Sequence, residues 1–227
     1  MLDKKTQVKH MFDAIAYRYD FLNHFLSAGV DVYWRKKALK LTKLNKDAVL
    51  LDVACGTGDF AIEAKNFGVQ KIFGADFSFN MLRLFNKKSG WIIGRNLQME
   101  AEKLPLKPST VTNITVAFGV RNFYNIPEAF SSFHSALTEN GKATILEFMM
   151  PTNSLFKILY RLYFKFILPV IGRIVSKDKK AYNYLPDSVE EFDKTIDLVK
   201  LFYNAGFKTV ERYNLTFGLV QVVIAEK

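Results

Sequence analysis

The sequence predicts an α/β fold in which a mostly parallel, seven-stranded sheet carries helices on both faces. From residue 48 onward, short apolar runs alternate with segments of helical periodicity, which is typical of a doubly wound parallel sheet. A turn with two glycines, "ACGTGD", follows the first apolar run. The chain closes with two successive strand patterns that have no helix between them. This closing pair predicts a terminal antiparallel strand. A dinucleotide-binding fold would instead have a helix between these two strands.

Each predicted element has a local signal. Gly68 ends the first helix after the glycine turn, and Ser78 is placed to cap the second. Pro127 suits the first turn of a helix, and Gly141 follows Asn140 in a turn before the fifth strand. The predicted order is strand 48–54, helix 59–67, strand 71–76, helix 78–88, strand 95–99, strand 113–119, helix 127–138, strand 142–148, helix 188–204, strand 207–213 and strand 218–225.

Composition limits the class of protein. The 227 residues, 49% of them hydrophobic and 24% charged, suit one globular domain and exclude a disordered chain. The one cysteine, Cys55, permits no intrachain disulfide and favours a reducing, cytoplasmic setting. The first ten residues show no secretory signal. The longest apolar zone, 155–175, contains four cationic residues and is therefore not expected to span a membrane.

Positive charge is concentrated in two segments that flank the predicted sheet. The net charge is +10; residues 1–45 contribute +5 and residues 154–181 contribute +6, whereas 46–153 contribute +1 and 182–227 contribute −2. This asymmetry favours an anionic surface as partner, although solvated surface lysines would produce the same count. Within one domain we expect four parts: an N-terminal helical lid at 1–45, a ligand-binding core at 46–153, a basic and apolar insertion at 154–187, and the last helix with the closing strands at 188–227.

The glycine turn predicts a nucleoside-binding site. Gly56, Gly58 and Ala61 satisfy the pattern G-x-G-x-x-G/A, in which glycine lets the backbone turn tightly and approach a ligand. Asp76 ends the second strand, 18 residues after Gly58, where an acidic residue accepts hydrogen bonds from a ribose diol. A nicotinamide dinucleotide is compatible with these residues, and so are other adenosyl ligands. Asp52, inside the first strand, is expected to hold the turn by hydrogen bonds.

Several motifs that occur in a fixed order narrow the choice of protein class and ligand. The order "LLDVACGTGD", "GADFSFNML" and "EAEKLP" resembles the class I S-adenosylmethionine-dependent methyltransferases. Further segments resemble the UbiE/MenG family of quinone C-methyltransferases: "MFDAIAYRYDFLNHFLSAGVDVYWRKK", "AFGVRNFYNIPEAF", "LPVIGRIVSKDKKAYNYLPDSVEEF" and "AGFKTVERYNLTFGLV". The resemblance implies a Rossmann-like methyltransferase fold and methylation of a demethylmenaquinol ring carbon in menaquinone synthesis.

The same resemblance implies a set of site residues. Serine is frequent in related sequences at the position of Ala117, so only a backbone contact is expected there. "FGVRN" ends the fourth predicted strand, where ligands bind in such sheets, and places Asn122 at the substrate. The residues expected to bind S-adenosylmethionine are Gly56, Thr57, Gly58, Asp76, Glu100, Ala101 and Ala117.

Two residues are candidates for catalysis. A hydroquinone carbon becomes nucleophilic when the adjacent phenol loses its proton. We hypothesise that Arg121 stabilises the developing phenolate, directly or through water, and that Tyr19 orients the ring hydroxyl. The alternatives are a structural ion pair for Arg121 and a core-packing role for Tyr19. The three histidines show no partner spacing and no His/Cys cluster occurs, so no metal is expected.

The insertion predicts contact with a membrane. Lys157, Arg161 and Lys165 recur every four residues, which would place them on one side of a helix rich in Leu, Ile, Phe and Tyr. Such a helix suits the surface of an anionic bilayer, where a polyprenyl hydroquinone resides. A core helix with snorkelling cations, or the lining of a tunnel for the isoprenoid tail, explains the same pattern. The expected location is cytoplasmic, peripherally associated with the cytoplasmic membrane, and a homo-oligomer is possible.

Other functions remain open on the sequence. A benzoquinol of ubiquinone synthesis is an alternative substrate, although the naphthoquinol is favoured. An RNA or other small-molecule methyltransferase could use the basic flanks, but the apolar insertion favours a lipid-like substrate, so no nucleic acid is expected. A non-catalytic scaffold of quinone synthesis is disfavoured by the intact glycine turn and Asp76. A nicotinamide oxidoreductase is disfavoured because a second mononucleotide-binding half is not visible.

Overall fold

A computed structural model of the chain describes residues 13, 17, 27, 29–151, 153–162 and 179–227, with backbone alone for 155, 159, 161 and 179–185. Its strands are β1 (Val49–Val53), β2 (Lys71–Asp76), β3 (Asn96–Gln98), β4 (Val111–Ala117), β5 (Leu137–Phe148), β6 (Thr209–Leu215) and β7 (Val220–Glu226). Its helices are α1 (Val30–Thr42), α2 (Asp59–Asn66), α3 (Phe79–Lys88), α4 (Ile126–Ala136), α5 (Ser154–Leu162), α6 (Lys179–Thr195) and α7 (Leu198–Asn204).

The strands form one sheet in the order β3-β2-β1-β4-β5-β7-β6. The pairs from β3 through β5 are parallel, whereas β7 runs antiparallel to both β5 and β6. This arrangement confirms the predicted mostly parallel sheet of seven strands with an antiparallel last strand. β2 and β3 lie on one side of β1, whereas β4 and β5 lie on the other. The strand order therefore reverses between β1 and β4, and ligands bind at the carboxyl edge of such sheets at this point.

Helices cover both faces of this sheet, as the apolar runs predicted. Neighbouring strand residues point to opposite faces, and Leu50 and Leu51 accordingly belong to different hydrophobic clusters. On one face, Phe130 of α4 stacks on Phe202 of α7 with ring centroids 3.9 Å apart. On the other face, α1, α2 and α3 bury a cluster that includes Phe85. The glycine turn and the start of α3 therefore rest on a packed layer.

Most predicted boundaries agree with the structure to within two residues, but two predictions, for the fifth strand and for the last helix, are wrong by more than that. β5 begins at Leu137 rather than at 142, because Asn140, at φ 59°, lies within a bulge opposite β4 instead of ending a separate turn. The single helix predicted at 188–204 is two helices, α6 and α7. The carboxylate of Asp197 accepts hydrogen bonds from the amides of Val199 and Lys200, and this cap begins a new helix.

Gly58 precedes α2 and has a left-handed backbone, with φ at 89°. A Cβ at this position would lie 2.1 Å from the ring of Phe85, which is fully buried in α3. Glycine is therefore required twice, for its backbone conformation and for the close packing of the turn on α3. Gly94 has a similar φ of 79°, but a Cβ there would meet nothing within 4 Å.

We expect Gly58→Ala to lower the free energy of unfolding by about 3 kcal/mol, through about 1–2 kcal/mol of left-handed strain and a further 1–3 kcal/mol of overpacking. Gly94→Ala is the matched control, because it introduces the strain without the clash and should cost about 1–2 kcal/mol. Urea denaturation followed by circular dichroism measures both. Equal losses in the two variants would contradict the packing role of Gly58.

Candidate functional site

A cleft opens at the carboxyl edge of the sheet, where β1 and β4 are adjacent. It contains about 790 Å³ free of protein atoms, its open mouth included. Apolar groups such as Phe77, Met81, Met99 and Phe123 form much of its wall. Six of the predicted site residues line it together: Gly56, Asp76, Glu100, Ala101, Ala117 and Asn122.

Asp76 connects the segments that surround this cleft. One carboxylate oxygen accepts the amide hydrogen of Gly56 at 2.8 Å, and the other accepts that of Ser78 at 2.8 Å. The backbone oxygen of Asp76 also accepts the amide hydrogen of Met99 at 3.0 Å. The turn after β1, the start of α3 and the segment after β3 thereby share one anchor.

Burial raises the pKa of Asp76 to about 6, because it penalises the charged carboxylate, while the amide hydrogen bonds from Ser78 and Gly56 act in the opposite direction. Two carboxylate oxygens offer about four acceptor positions, so the two amide bonds leave capacity for a further donor. A ribose diol is a donor of that kind. The carboxylate, the apolar wall and the volume of the cleft together fit an adenosyl group.

Thr57 and Gly58 do not line this cleft. Thr57 is buried and lines a second, smaller cavity behind Gly56, together with Arg35 and Asp59. Gly58 lines neither cavity. The close packing of this position on the ring of Phe85 explains why a glycine is required there. Direct contact of these two residues with a cofactor stays a prediction.

Asp52 bonds to two elements beside the glycine turn, α2 and β4, and its role in holding the turn itself stays a prediction. Its carboxylate accepts hydrogen bonds from the amide of Ala61 at 3.2 Å and from the hydroxyl of Thr115 at 2.8 Å. Burial raises its pKa to about 7, since the side chain is enclosed between β1, α2 and β4.

Arg121 forms a buried ion pair rather than part of the cleft wall. Its guanidinium lies 2.6 Å from Glu147, a fully buried residue of β5, and also donates to the carbonyl of Phe118 at 2.7 Å. The second carboxylate oxygen of Glu147 accepts the amide hydrogen of Arg121 at 3.3 Å. This geometry favours the structural alternative for Arg121, whereas its neighbour Asn122 reaches the cleft. Glu147 was not among the predicted site residues, although a carboxylate in the apolar run "ATILEF" indicates a buried charged partner.

The backbone is strained where β1 and β4 end. Ala54 and Phe118, both without glycine's freedom, have φ values of 50° and 57° and line the cleft. A Cβ on Gly119 would lie 2.8 Å from Cβ of Ala54, so the two turns touch. Strain of this kind persists only where surrounding contacts enforce it, and it is concentrated at functional sites.

Of the predicted lid, the structure describes α1 with the residues after it and four residues before it, at positions 13, 17, 27 and 29. Asp13 accepts a hydrogen bond from the hydroxyl of Ser78 at 2.5 Å, and Tyr17 bonds to Arg83 of α3. These contacts bring the N-terminal segment to the start of α3, beside Asp76. Tyr19 lies outside the described residues, and its role stays a prediction.

The insertion begins with α5. In this helix Ile158 and Leu162 are 55% and 46% exposed, whereas Tyr160 is half-buried. Burial raises the pKa of Tyr160, and the nearby charge of Arg121 opposes that shift. Lys157 is half-buried; the side chain of Arg161 and all of Lys165 lie outside the described residues. In the part of the chain that the structure describes, every helix is too short or too polar to cross a membrane.

Comparison with known proteins identifies the family to which the whole chain is similar. A model of the ubiE/COQ5 methyltransferase family matches residues 1–227. A demethylmenaquinone methyltransferase of Chlorobaculum tepidum is 40% identical, over 98% of this chain and 93% of its own length. A ubiquinone/menaquinone biosynthesis C-methyltransferase UbiE of Geotalea uraniireducens is 39% identical, over 100% of this chain and 99% of its own length.

Solved structures share the fold. A Thermotoga maritima S-adenosylmethionine-dependent methyltransferase, described as a possible histamine N-methyltransferase, superposes with a TM-score of 0.67 at 17% identity, covering 96% of this chain and 99% of its own. The [4+2]-cyclase SpnF superposes with a TM-score of 0.66 at 14% identity, covering 98% of this chain and 95% of its own. The second enzyme is named for a cyclisation, so the fold alone does not specify the reaction.

Lowering the pH through about 6 should weaken binding of 5′-methylthioadenosine, because the ionised form of Asp76 is the one that accepts the ribose diol. The affinity should be constant above that value and fall by up to about tenfold per pH unit below it. Isothermal titration calorimetry across the range measures the effect. Asp76→Asn is the control: it should bind weakly and lose this pH dependence. A wild-type affinity that does not change through pH 6 would contradict the role of Asp76.

Proposed function

The chain belongs to the ubiE/COQ5 methyltransferase family, and we propose that it transfers the methyl group of S-adenosylmethionine to a ring carbon of a demethylmenaquinol. The observation that carries this proposal is the cleft in which Asp76, Gly56 and the Glu100–Ala101 pair meet. Menaquinone occurs in the names of both types of relative, whereas ubiquinone occurs in only one. A demethylmenaquinol is for that reason the preferred substrate, and a benzoquinol is the alternative.

S-Adenosylmethionine supplies, when bound, an electrophilic methyl group on a sulfonium. Asp76 would accept hydrogen bonds from the ribose diol, and Glu100 and Ala101 would contact the adenine. Gly56 lines the cleft without a side chain, so a ligand can approach its backbone closely. Ala117 has no hydroxyl, and its contribution would come from the backbone at the end of β4.

The reaction forms a carbon–carbon bond to the ring, breaks the carbon–sulfur bond and releases a ring proton. The protein's main task is to align the acceptor carbon with the methyl group and the sulfur. Asn122 lies on the cleft wall and is the proposed partner of a ring hydroxyl. Arg121 would act through the adjacent turn or through water, because its guanidinium is held by Glu147. Tyr19 is proposed to orient the ring from the N-terminal lid.

The four predicted parts serve this reaction as one domain. The core binds the methyl donor, the lid covers the cleft, and the insertion brings the polyprenyl substrate to it. Tyr160 of α5 lies close enough to Arg121 for their charges to interact, and α6 contacts the turn Val120–Asn122. The insertion therefore borders the side of the site where an apolar acceptor would enter. We expect the exposed face of α5 to lie on an anionic bilayer.

The test of the function is transfer of radiolabel from S-adenosylmethionine to reduced demethylmenaquinone in anionic liposomes. Labelled menaquinol is the expected product, and air oxidation during extraction converts it to labelled menaquinone. Arg121→Ala should lower kcat by up to about 10²-fold, because the turn that carries Asn122 loses its ion pair and the acceptor ring is misplaced, while the KM for S-adenosylmethionine should change little. Tyr19→Phe should also lower kcat.

Loss of Arg121 alone also leaves Glu147 buried without its partner, which costs about 3–5 kcal/mol of stability. The double variant Arg121→Met with Glu147→Gln removes both charges and separates chemistry from stability. Wild-type kcat in a folded double variant would contradict a role for Arg121. Binding of S-adenosylmethionine without label in the quinone would overturn the substrate and leave the cofactor assignment intact.

Membrane contact should depend on the exposed apolar side chains of α5. Replacing Ile158 and Leu162 by Asn is expected to lower partitioning onto anionic liposomes by at least about tenfold, since each buried side chain of this size contributes about 1.5–3 kcal/mol. Flotation at low salt measures the partitioning. Ile93 and Tyr203 are also exposed but lie outside the insertion, so their replacement by Asn is the matched control. Failure of the wild-type protein to float would contradict the membrane proposal.

A further inference from the structure

The hairpin that joins β6 to β7 lies at the same edge of the sheet as the cleft. Val220, the first residue of β7, pairs with Leu215 of β6 on one side and with Phe148, the last residue of β5, on the other. Since β5 runs parallel to β4, its last residue lies at the carboxyl edge of the parallel strands. The hairpin tip, residues 216–219, is therefore at the edge where the cleft opens.

The backbone of this hairpin tip is strained around an exposed aromatic ring. Thr216, Phe217 and Gly218 have φ values of 48°, 56° and 84°, which is the left-handed region. Threonine and phenylalanine are disfavoured in that region, so the conformation costs free energy at two positions. The ring of Phe217 is nevertheless 67% exposed. The core gains little from this side chain, and asparagine would suit the same backbone better.

Contacts with α1 and with the end of β5 hold the hairpin tip in this conformation. The indole of Trp34 in α1 donates a hydrogen bond to the hydroxyl of Thr216 at 2.7 Å. The carbonyl of Thr216 accepts the amide hydrogen of Leu219 at 3.1 Å, and the carbonyl of Leu219 accepts that of Met149 at 3.0 Å. Strain that neighbouring contacts enforce in this way is concentrated at functional sites.

The hairpin tip also packs against α5. Phe156, near the start of α5, stacks on Phe217 with ring centroids 4.1 Å apart and ring planes 10° from parallel. Ile158 and Leu162, the exposed residues for which membrane contact is proposed, belong to the same helix. The hairpin tip therefore adds an exposed aromatic ring, from a distant part of the chain, beside that helix.

The segments that flank the hairpin tip are rich in positive charge. Residues 154–181, which begin with α5, carry a net charge of +6, and α1 contains four cationic residues and one acidic residue. The N-terminal half of α1, which Trp34 joins to the tip, exposes Tyr33 and Lys36. Exposed rings among cationic residues suit the interface of an anionic bilayer. A second copy of the chain fits less well, because like charges would meet.

We infer that the hairpin tip is a second membrane anchor, in which Phe217 inserts into an anionic bilayer beside α5. The inference goes beyond contact through α5, because two anchors from different parts of the chain fix the orientation of the protein on the surface. Both anchors turn the carboxyl edge of the sheet, and with it the cleft, toward the lipid. The inference rests on the proposed function in one respect, since a polyprenyl acceptor resides in that bilayer.

Tryptophan fluorescence tests the position of residue 217. Phe217→Trp keeps an aromatic ring at the tip, and the wild-type protein gives the background from Trp34 and Trp91. On vesicles of equal parts phosphatidylglycerol and phosphatidylcholine, emission from the new indole should shift to shorter wavelength. Phosphatidylcholine brominated in its acyl chains should quench it. Ile93→Trp is the matched control, because Ile93 is 66% exposed but precedes β3, away from the carboxyl edge; its emission should not change.

Phe217→Asn should lower partitioning onto the same vesicles by at least about tenfold, because a large apolar side chain is lost from the lipid. Since asparagine tolerates a left-handed backbone, the variant should keep a melting temperature close to that of the wild-type protein. Phe217 does not line the cleft, so kcat toward demethylmenaquinol in detergent micelles should be unchanged. Ile93→Asn is the control and should partition as the wild-type protein does.

The outcomes separate the inference from the proposed function. If the vesicles bind Phe217→Trp without a shift or quenching of its emission, the inference is overturned and the proposed contact through α5 stands. A shift that grows with protein concentration in the absence of vesicles indicates self-association and also overturns it. Absence of methyl transfer in detergent micelles contradicts the proposed function, whereas insertion of residue 217 would still be supported by the fluorescence.

Discussion

The site depends on one buried carboxylate. Asp76 is held by the amides of Gly56 and Ser78, while its own carbonyl accepts the amide of Met99. These three residues belong to the segments that follow β1, β2 and β3, so the relative position of three cleft walls is set by one side chain and its backbone. Burial raises the pKa of this group, and the hydrogen bonds that position it also lower the cost of its charge. The same residue thus determines both the shape and the electrostatics of the cleft.

A second set of contacts holds the opposite wall. Glu147 accepts hydrogen bonds from both the backbone amide and the guanidinium of Arg121. Arg121 in turn donates to the carbonyl of Phe118, whose backbone is strained. A buried ion pair contributes little net stability, because both charges lose their hydration. The ion pair instead fixes the geometry of the turn between Phe118 and Asn122. Without it, the strained backbone of this turn would relax to another conformation. Asn122 reaches the cleft as a consequence.

Local signals predicted most elements well, and the failures also have local or tertiary causes. Ser78 caps α3 as predicted because capping needs only a side chain and an amide three residues away. The break at Asp197 rests on an equally local cap, but the helical pattern continues through it and concealed the end of α6. The early start of β5 could not be predicted from the neighbouring residues in the sequence. Its bulge around Asn140 exists because β4 pairs alongside, and pairing is a property of the assembled sheet.

The sequence by itself determined the fold class, the expected position of a nucleoside site and the resemblance to a methyltransferase family, because alternation, the glycine turn and Asp76 act over short stretches of chain. Tertiary structure alone decided the roles of individual residues. Of the adjacent residues Arg121 and Asn122, only the second lines the cleft, and Gly58 is required by the ring of Phe85 rather than by a ligand wall. Arg35 reaches the glycine turn from another helix. Such roles depend on strand order and helix packing, which bring together residues far apart in the chain, and no spacing along the sequence encodes those distances.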